Sequence, residues 1–341
     1  MISRRTAFAA LAIVIGLTAG LLVTEGVLRM LKDSPIEIPA LDIVVEPGGK
    51  TQLPDPVLGF RPIPGRYTVT FDHRDPWELT NLSDTTRITS PLGSAEDRRG
   101  RGIWVFGCSF VQGWGLNDAD TFAWKLQERF PDYPVTNFGV GGYGTLQSLL
   151  QLQQALRERP SPAVIILAYA WFHDDRNTFT NGWRDANISY RRFGTTAQPY
   201  ARFDDNGQLR YYHSEESVPL LWLRSRSAMF NLALESYGRA QDAGLRSHEV
   251  TELLLDRFAE ESRQSGAHFV LAGIAPSPLT EATLRRFEAG GTHTVDISVD
   301  DRDPANVIPY DGHPSAIAND HFAETLATAL QTRAIVVSRQ P

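Results

Sequence analysis

Cysteine is nearly absent from this chain of 341 residues: there is one, Cys108. No intramolecular disulfide can form, and cysteine-based zinc motifs are excluded. Lysine is almost as scarce, with Lys32, Lys50 and Lys125 alone, so arginine carries nearly all of the positive charge. There is no basic surplus either: 33 basic side chains face 40 acidic ones, for a net charge of -7. A nucleic-acid binder more often shows a basic stripe, and no nucleic-acid partner is expected. Internal repeats and low-complexity segments are missing. Hydrophobic residues make up 42% and charged residues 21%, which rules out a fully disordered or fibrous chain and leaves enough apolar material for a core.

The apolar residues are not evenly spread. Thr6 to Val23 reads TAFAALAIVIGLTAGLLV without a charge. As a helix it is about 27 Å long, close to the hydrocarbon thickness of about 30 Å. Arg4 and Arg5 precede it, and Glu25, Arg29 and Lys32 follow it. The pattern is that of a signal anchor or a signal peptide. No clear small-residue cleavage site follows, which favours an uncleaved anchor. Arg4, Arg5 and the terminal amine favour the N-terminus inside, placing the rest of the chain outside the cytoplasm.

The organisation expected is an anchor over residues 1–32, a linker and N-terminal extension over 33–99, and a main domain over 100–335. Residues 33–97 are rich in Pro, Asp and Thr, with one alternating strand at Tyr67–Phe71. From residue 102 short apolar strands alternate with helices. Strands are expected at 103–106, 135–138, 163–170, 269–274 and 294–297. Helices are expected from Asp120 as N-cap to about 130, and over about 145–157, 247–265, 279–289 and 315–332. This alternation predicts a mainly parallel sheet in a three-layer α/β/α sandwich, with ligands beyond the carboxyl ends of the strands. A stretch over about 178–246 interrupts it. It holds a hairpin at 200–212 and an Arg-rich aromatic run at Leu220–Arg226, and reads either as a lid or as a packing decoration.

Four polar or glycine-rich segments follow the strands. Phe106–Gly113 puts Ser109 on a tight turn after the first strand. Asn137–Gly144 is a glycine-rich turn after the second. Trp171–Asn177 is a polar turn after the third. Asp311-Gly312-His313-Pro314 precedes the last helix. Each is weak alone; their order is informative. A serine hydroxyl needs an adjacent base, and His313 can supply one if Asp311 orients it. His321 reads as a surface residue rather than a metal partner, and Cys108 reads as facing away from the ligand edge.

Together these segments resemble the SGNH (GDSL-type) hydrolase superfamily over roughly residues 100–335. Gly107-Cys108-Ser109 with Gly113 or Gly115 is similar to its first motif, and Asn137, Gly139 and Gly142 to its second. Asp311–Pro314 is similar to its last, one residue shorter, as in bacterial polysaccharide O-acetyltransferases of the superfamily. The anchor ending at Glu25–Arg29 and the run Asp55–Arg61 resemble membrane-anchored bacterial members. The resemblance implies a flavodoxin-like fold, Ser109 as nucleophile, His313 as base and Asp311 as acid. It also implies an oxyanion hole from the Ser109 and Gly142 N–H groups. The family's third motif departs here: His173 or Asn177 stands in for its oxyanion asparagine. No cofactor and no metal are implied. The function implied is that of a serine esterase on acylated carbohydrate or another cell-envelope ester. An O-acetyltransferase with a membrane acyl-donor partner and a non-catalytic carbohydrate-binding module are the alternatives. The place implied is the bacterial inner membrane, single-pass, with the catalytic domain facing the periplasm.

Overall fold

A computed structural model describes residues 4–38, 42–71, 75–92, 101–188, 197–214, 220–309 and 311–336. In chain order the helix α1 (Arg4–Met30) is followed by β1 (Ile43–Glu46), β2 (Gln52–Asp55), β3 (Gly59–Pro62), β4 (Gly65–Phe71) and β5 (Trp77–Asn81). Next come β6 (Ile103–Phe106), α2 (Ser109–Gln112), a 3-10 turn at Asp118–Asp120, α3 (Phe122–Arg129), β7 (Val135–Asn137), α4 (Thr145–Glu158) and β8 (Val164–Tyr169). Then follow α5 (His173–Thr178), α6 (Asn181–Ala186), β9 (Pro199–Phe203), β10 (Leu209–His213), α7 (Leu221–Arg224) and α8 (Ala228–Asp242). The chain closes with α9 (Ser247–Gln264), β11 (His268–Gly273), α10 (Pro278–Ala289), β12 (His293–Asp296) and α11 (Ala316–Thr332).

The chain divides into two units. The smaller comprises Met1–Ala40, Thr180–Ser189 and Ser217–Gly244; the larger holds the remainder. The expected insertion therefore splits: its hairpin, β9 with β10, belongs to the larger unit, while α6, α7 and α8 group with α1. In the smaller unit α1 carries an apolar window with none of it buried, long and apolar enough to cross a membrane.

The larger unit is built on a five-stranded sheet in the order β12-β11-β8-β6-β7, with every pairing parallel. All six residues of β8, Val-Ile-Ile-Leu-Ala-Tyr, are buried, as expected of a strand covered on both faces. One face packs on α3 and α11 through Phe122, Leu126, Phe322 and Leu326. The other packs on α4, α9 and α10 through Leu149, Leu254, Phe258 and Leu284. This is the three-layer α/β/α sandwich that the sequence predicts. The chain order reverses at β6, which lies between β7 and β8, and such a switch point opens a crevice at the strand ends.

Residues 43–71 and 75–81 hold five strands, β1 to β5, where the sequence suggests one at Tyr67–Phe71, part of β4. β1, β4 and β5 form an antiparallel sheet with alternating burial, packed through Tyr67, Val69, Trp77 and Leu79. Beyond it the chain turns, and Arg87 bridges to Asn137 of β7, covering an edge that would otherwise expose unpaired backbone. Two local expectations are corrected. Thr121, not Asp120, caps α3, its hydroxyl accepting from the Trp124 N–H; Asp120 ends the 3-10 turn. The polar stretch after β8 is a helix, α5, rather than a loop.

Arg87 is a deeply buried charge, its side chain 1% exposed. Its guanidinium donates to Asp118 Oδ1 and to the carbonyls of Glu78, Gln112, Gly113 and Leu116. Burial pulls its pKa down, and Asp118 pulls it back up. Removing one partner of such a cluster strands the others. Arg87→Leu is expected to lose about 3–5 kcal/mol in urea unfolding; a loss below about 1 kcal/mol contradicts this account.

Candidate active site

Ser109 is the first residue of α2, directly beyond β6. The chain reverses sharply after it: the N–H groups of Gly113 and Trp114 both donate to the Ser109 carbonyl. Asn137 holds the neighbouring glycine-rich turn in place. Its Nδ2 donates to the Val111 carbonyl at 2.9 Å, and its Oδ1 accepts from the Gly139 N–H at 2.9 Å. A Cβ on Gly139 would lie 2.4 Å from the Gln112 nitrogen, so glycine is required for this approach. Gln112 completes the contact by accepting from the Gly141 N–H at 2.9 Å.

The loop before α11 brings the other two groups. Asp311 and His313 stand two residues apart, and a direct contact needs the chain to fold back between them. It does so at Gly312, whose φ of 76° is left-handed backbone that favours glycine. The turn is closed by the Gly312 N–H donating to the Ile308 carbonyl and the Ile308 N–H to that of His313. His313 Nδ1 then lies 2.6 Å from Asp311 Oδ1, and its Nε2 lies 2.9 Å from Ser109 Oγ. An ionised carboxylate only accepts, so Nδ1 carries the proton and Nε2 is left free to accept from the serine hydroxyl. The Asp311 side chain is 7% exposed and that of His313 20%, so the pair opens to solvent through the imidazole.

Trp114 is a member of the site that the sequence reading passed over. Its Nε1–H donates to Asp311 Oδ2 at 3.2 Å, and its ring lies 6.3 Å from that of His313. Trp77 and Phe71 pack against it edge-on, so the N-terminal strands support this tryptophan. The signal was there: Trp114 lies between Gly113 and Gly115 of the nucleophile turn, where attention went to the glycines. On the other side Phe110 packs on His313 at 5.5 Å, Phe172 on Phe110 at 5.4 Å, and Trp171 on Phe172 at 5.7 Å. Trp171 is 45% exposed.

The oxyanion candidates fare differently. The backbone N–H groups of Ser109 and Gly142 make no hydrogen bond among the described residues. Asn177 is not brought to Ser109. Its Oδ1 accepts from the Leu146 N–H at 3.0 Å and its Nδ2 donates to Thr251 at 2.8 Å, so it ties α4 to α9. His173 is wholly buried beside Tyr169 and Phe172, and neither ring nitrogen has a partner among the described residues. Burial, and then the nearby Arg176 charge, push its pKa well below the ordinary value, which keeps the ring neutral. The next residue, Asp174, is held by Tyr169 and His248, and burial raises its pKa. Cys108 is buried and free, as expected. Among the described residues no cluster of three metal-ligating side chains occurs.

No protein-family model matches the chain, and no curated protein matches its sequence. Solved structures with a similar chain path include esterases and lipolytic proteins of the G-D-S-L family. The psychrotrophic esterase EstA from Pseudoalteromonas sp. is 12% identical, with 69% of this chain and 99% of that one covered and a TM-score of 0.42. A putative lipolytic protein of the G-D-S-L family from Desulfitobacterium hafniense is 11% identical, with 68% and 100% covered and a TM-score of 0.39. A family two carbohydrate esterase from Clostridium thermocellum is 11% identical, with 78% and 69% covered and a TM-score of 0.40. The chemistry assigned below rests on this chain's own residues.

Two expectations follow from the geometry. Trp114→Phe keeps the ring and removes one hydrogen bond to a charged acceptor. It should lower ester turnover about tenfold, the effect of about 1.4 kcal/mol, in protein whose circular dichroism spectrum shows the fold retained. A turnover equal to that of the parent protein would dismiss the contact. His173 favours the neutral form in the fold, so the unfolded chain takes up the proton first. Its contribution is full above the ordinary value of 6.5 and is lost as pH falls below it. His173→Leu should therefore hold or raise the melting temperature at pH ~7 and lose less than the parent between pH ~7 and ~5. An equal or steeper loss argues against this account.

Proposed function

We propose that this protein is a serine esterase that works through an acyl-Ser109 intermediate. The observation that carries the reading is the continuous relay from Asp311 Oδ1 to His313 Nδ1 at 2.6 Å and from His313 Nε2 to Ser109 Oγ at 2.9 Å. His313 Nε2 takes the hydroxyl proton as Oγ attacks the ester carbonyl, and Asp311 stabilises the imidazolium. The negative charge on the tetrahedral oxygen is met by the Ser109 and Gly142 N–H groups, each worth about 3 kcal/mol of barrier. Collapse breaks the ester C–O bond, and His313 returns the proton to the departing alcohol. Water then attacks the acyl-serine with His313 again as base, releasing the carboxylic acid and restoring the hydroxyl.

Acylated carbohydrate of the cell envelope is the substrate class this reading favours. Support comes from the half-exposed Trp171 at the end of the ring series that begins at His313: a flat apolar face suits the C–H face of a sugar. The helix α1 serves as the membrane anchor, with its N-terminus inside and the catalytic residues on the periplasmic side.

The test uses the full chain in detergent, a fluorophosphonate probe and p-nitrophenyl acetate. Labelling and p-nitrophenol release are expected in the parent and absent in Ser109→Ala. His313→Ala should lower turnover by about 10³-fold or more and Asp311→Asn by about 10⁴-fold. A folded parent that neither labels nor turns over overturns the proposal. Turnover that appears only with added glycan acceptor shifts it from hydrolase to acyltransferase.

A further inference from the structure

α1 does not end as a bare anchor. Its last turns are knitted to the start of α8 through Glu25, two residues beyond the apolar run. The Glu25 carboxylate accepts from Ser227 Oγ at 2.8 Å and from the N–H groups of Ala228 at 2.9 Å and Met229 at 3.1 Å. Arg29 closes the other side, its Nε donating to Glu25 at 2.7 Å and its Nη2 to the Arg226 carbonyl at 2.9 Å. The chain beyond the helix is fixed as well. The Ile36 N–H donates to the Arg224 carbonyl, and Asn231 Nδ2 to the Ser34 carbonyl. Arg224 is itself locked between Asn231 and Asp185.

This knot sets a height. Glu25 stands about 3 Å along the helix from the end of the apolar run. The polar zone of a bilayer extends roughly 5–7 Å beyond the hydrocarbon on each side. The α7 segment and the first turn of α8 therefore sit at headgroup level if the apolar run fills the hydrocarbon. The side chains they leave open suit that level and not water. Leu220 is 44% exposed, Trp222 62% and Phe230 38%, while α1 adds Val27 at 49% and Met30 at 86%. Arg226 is also exposed beside Trp222. Tryptophan with flanking arginine is the composition that the membrane–water boundary favours.

We infer that Leu220, Trp222 and Phe230 form a second membrane contact, a lateral foot that enters the headgroup layer beside the anchor. The inference rests on the reading of α1 as a membrane span. The occupant is the lipid interface itself. Two contacts joined by a rigid hydrogen-bonded knot hold a membrane protein more firmly than a single helix and fix its rotation about that helix.

The full chain is reconstituted in vesicles of phosphatidylethanolamine and phosphatidylglycerol. A fluorescent nitrobenzoxadiazole label is placed at Trp222→Cys, at Leu220→Cys and, separately, at Leu17→Cys within the span. The parent, whose single Cys108 is buried, serves as the labelling blank. Quenching is read with headgroup-borne nitroxide lipids, chain-end nitroxide lipids and aqueous iodide. Leu17 should be quenched by the chain-end nitroxide, and positions 220 and 222 by the headgroup nitroxide, each more than by iodide. If Leu17 is quenched deep in the bilayer while 220 and 222 respond to neither lipid, the span stands and the foot is refuted. If Leu17 also escapes lipid quenching, the span reading fails and the foot with it.

Discussion

A guanidinium with no access to water holds the region around the nucleophile together. Arg87 has five N–H donors, and each finds a carbonyl or carboxylate in the strands and turns around Ser109. Unpaired in a dry interior, that charge would be costly; fully paired, it fixes the positions of every oxygen it touches. Three of those oxygens lie in the turn that leads from α2 through Trp114 to Leu116. Trp114 reaches from that turn to Asp311, and Asp311 orients His313. The N-terminal strands thus help to hold the three proposed catalytic side chains, although they contribute none of them.

The sheet was legible because its strands are continuous apolar runs and its helices carry period and caps. Ser315 is an example: its hydroxyl caps α11 where the sequence places it. The sequence also singled out Ser109, Asp311 and His313 by residue type, and the structure brings these three side chains within hydrogen-bond distance. The site was illegible where a residue's role depends on distant neighbours. Nothing in the run Thr86-Arg87-Ile88 tells that Arg87 is buried, because four of its five partners lie about 25 to 31 positions further on. Of the strands before residue 82, only β4 was legible, from the alternation of Tyr67–Phe71; the others were hidden by prolines and by shortness. Trp114 gives no local sign of its partner either, since Asp311 lies 197 positions away.

The third polar segment shows the limit most clearly. A polar run after a buried strand suggested groups turned toward a ligand. Instead Asn177 braces two helices, Asp174 is held by Tyr169 and His248, and His173 is sealed among aromatic rings. Polarity at a strand end marks hydrogen bonding, and the partner can be the fold itself rather than a substrate. With Asn177 and His173 turned into the fold, the proposed oxyanion site rests on the Ser109 and Gly142 amides.

The three-residue turn at Gly312 divides the assembly of the relay into two unequal tasks. The acid and base are separated by two positions, so their pairing closes almost no loop and depends on little beyond one glycine turn. The base and nucleophile are separated by 204 positions, and their contact exists only once the whole sheet has formed. The Asp–His pair is a prefabricated cartridge, and the fold's remaining duty is to deliver it to one hydroxyl. Sequence drift elsewhere in the domain then acts mainly on one coordinate, the gap between imidazole and serine, and can open or close that contact without altering any of the three residues.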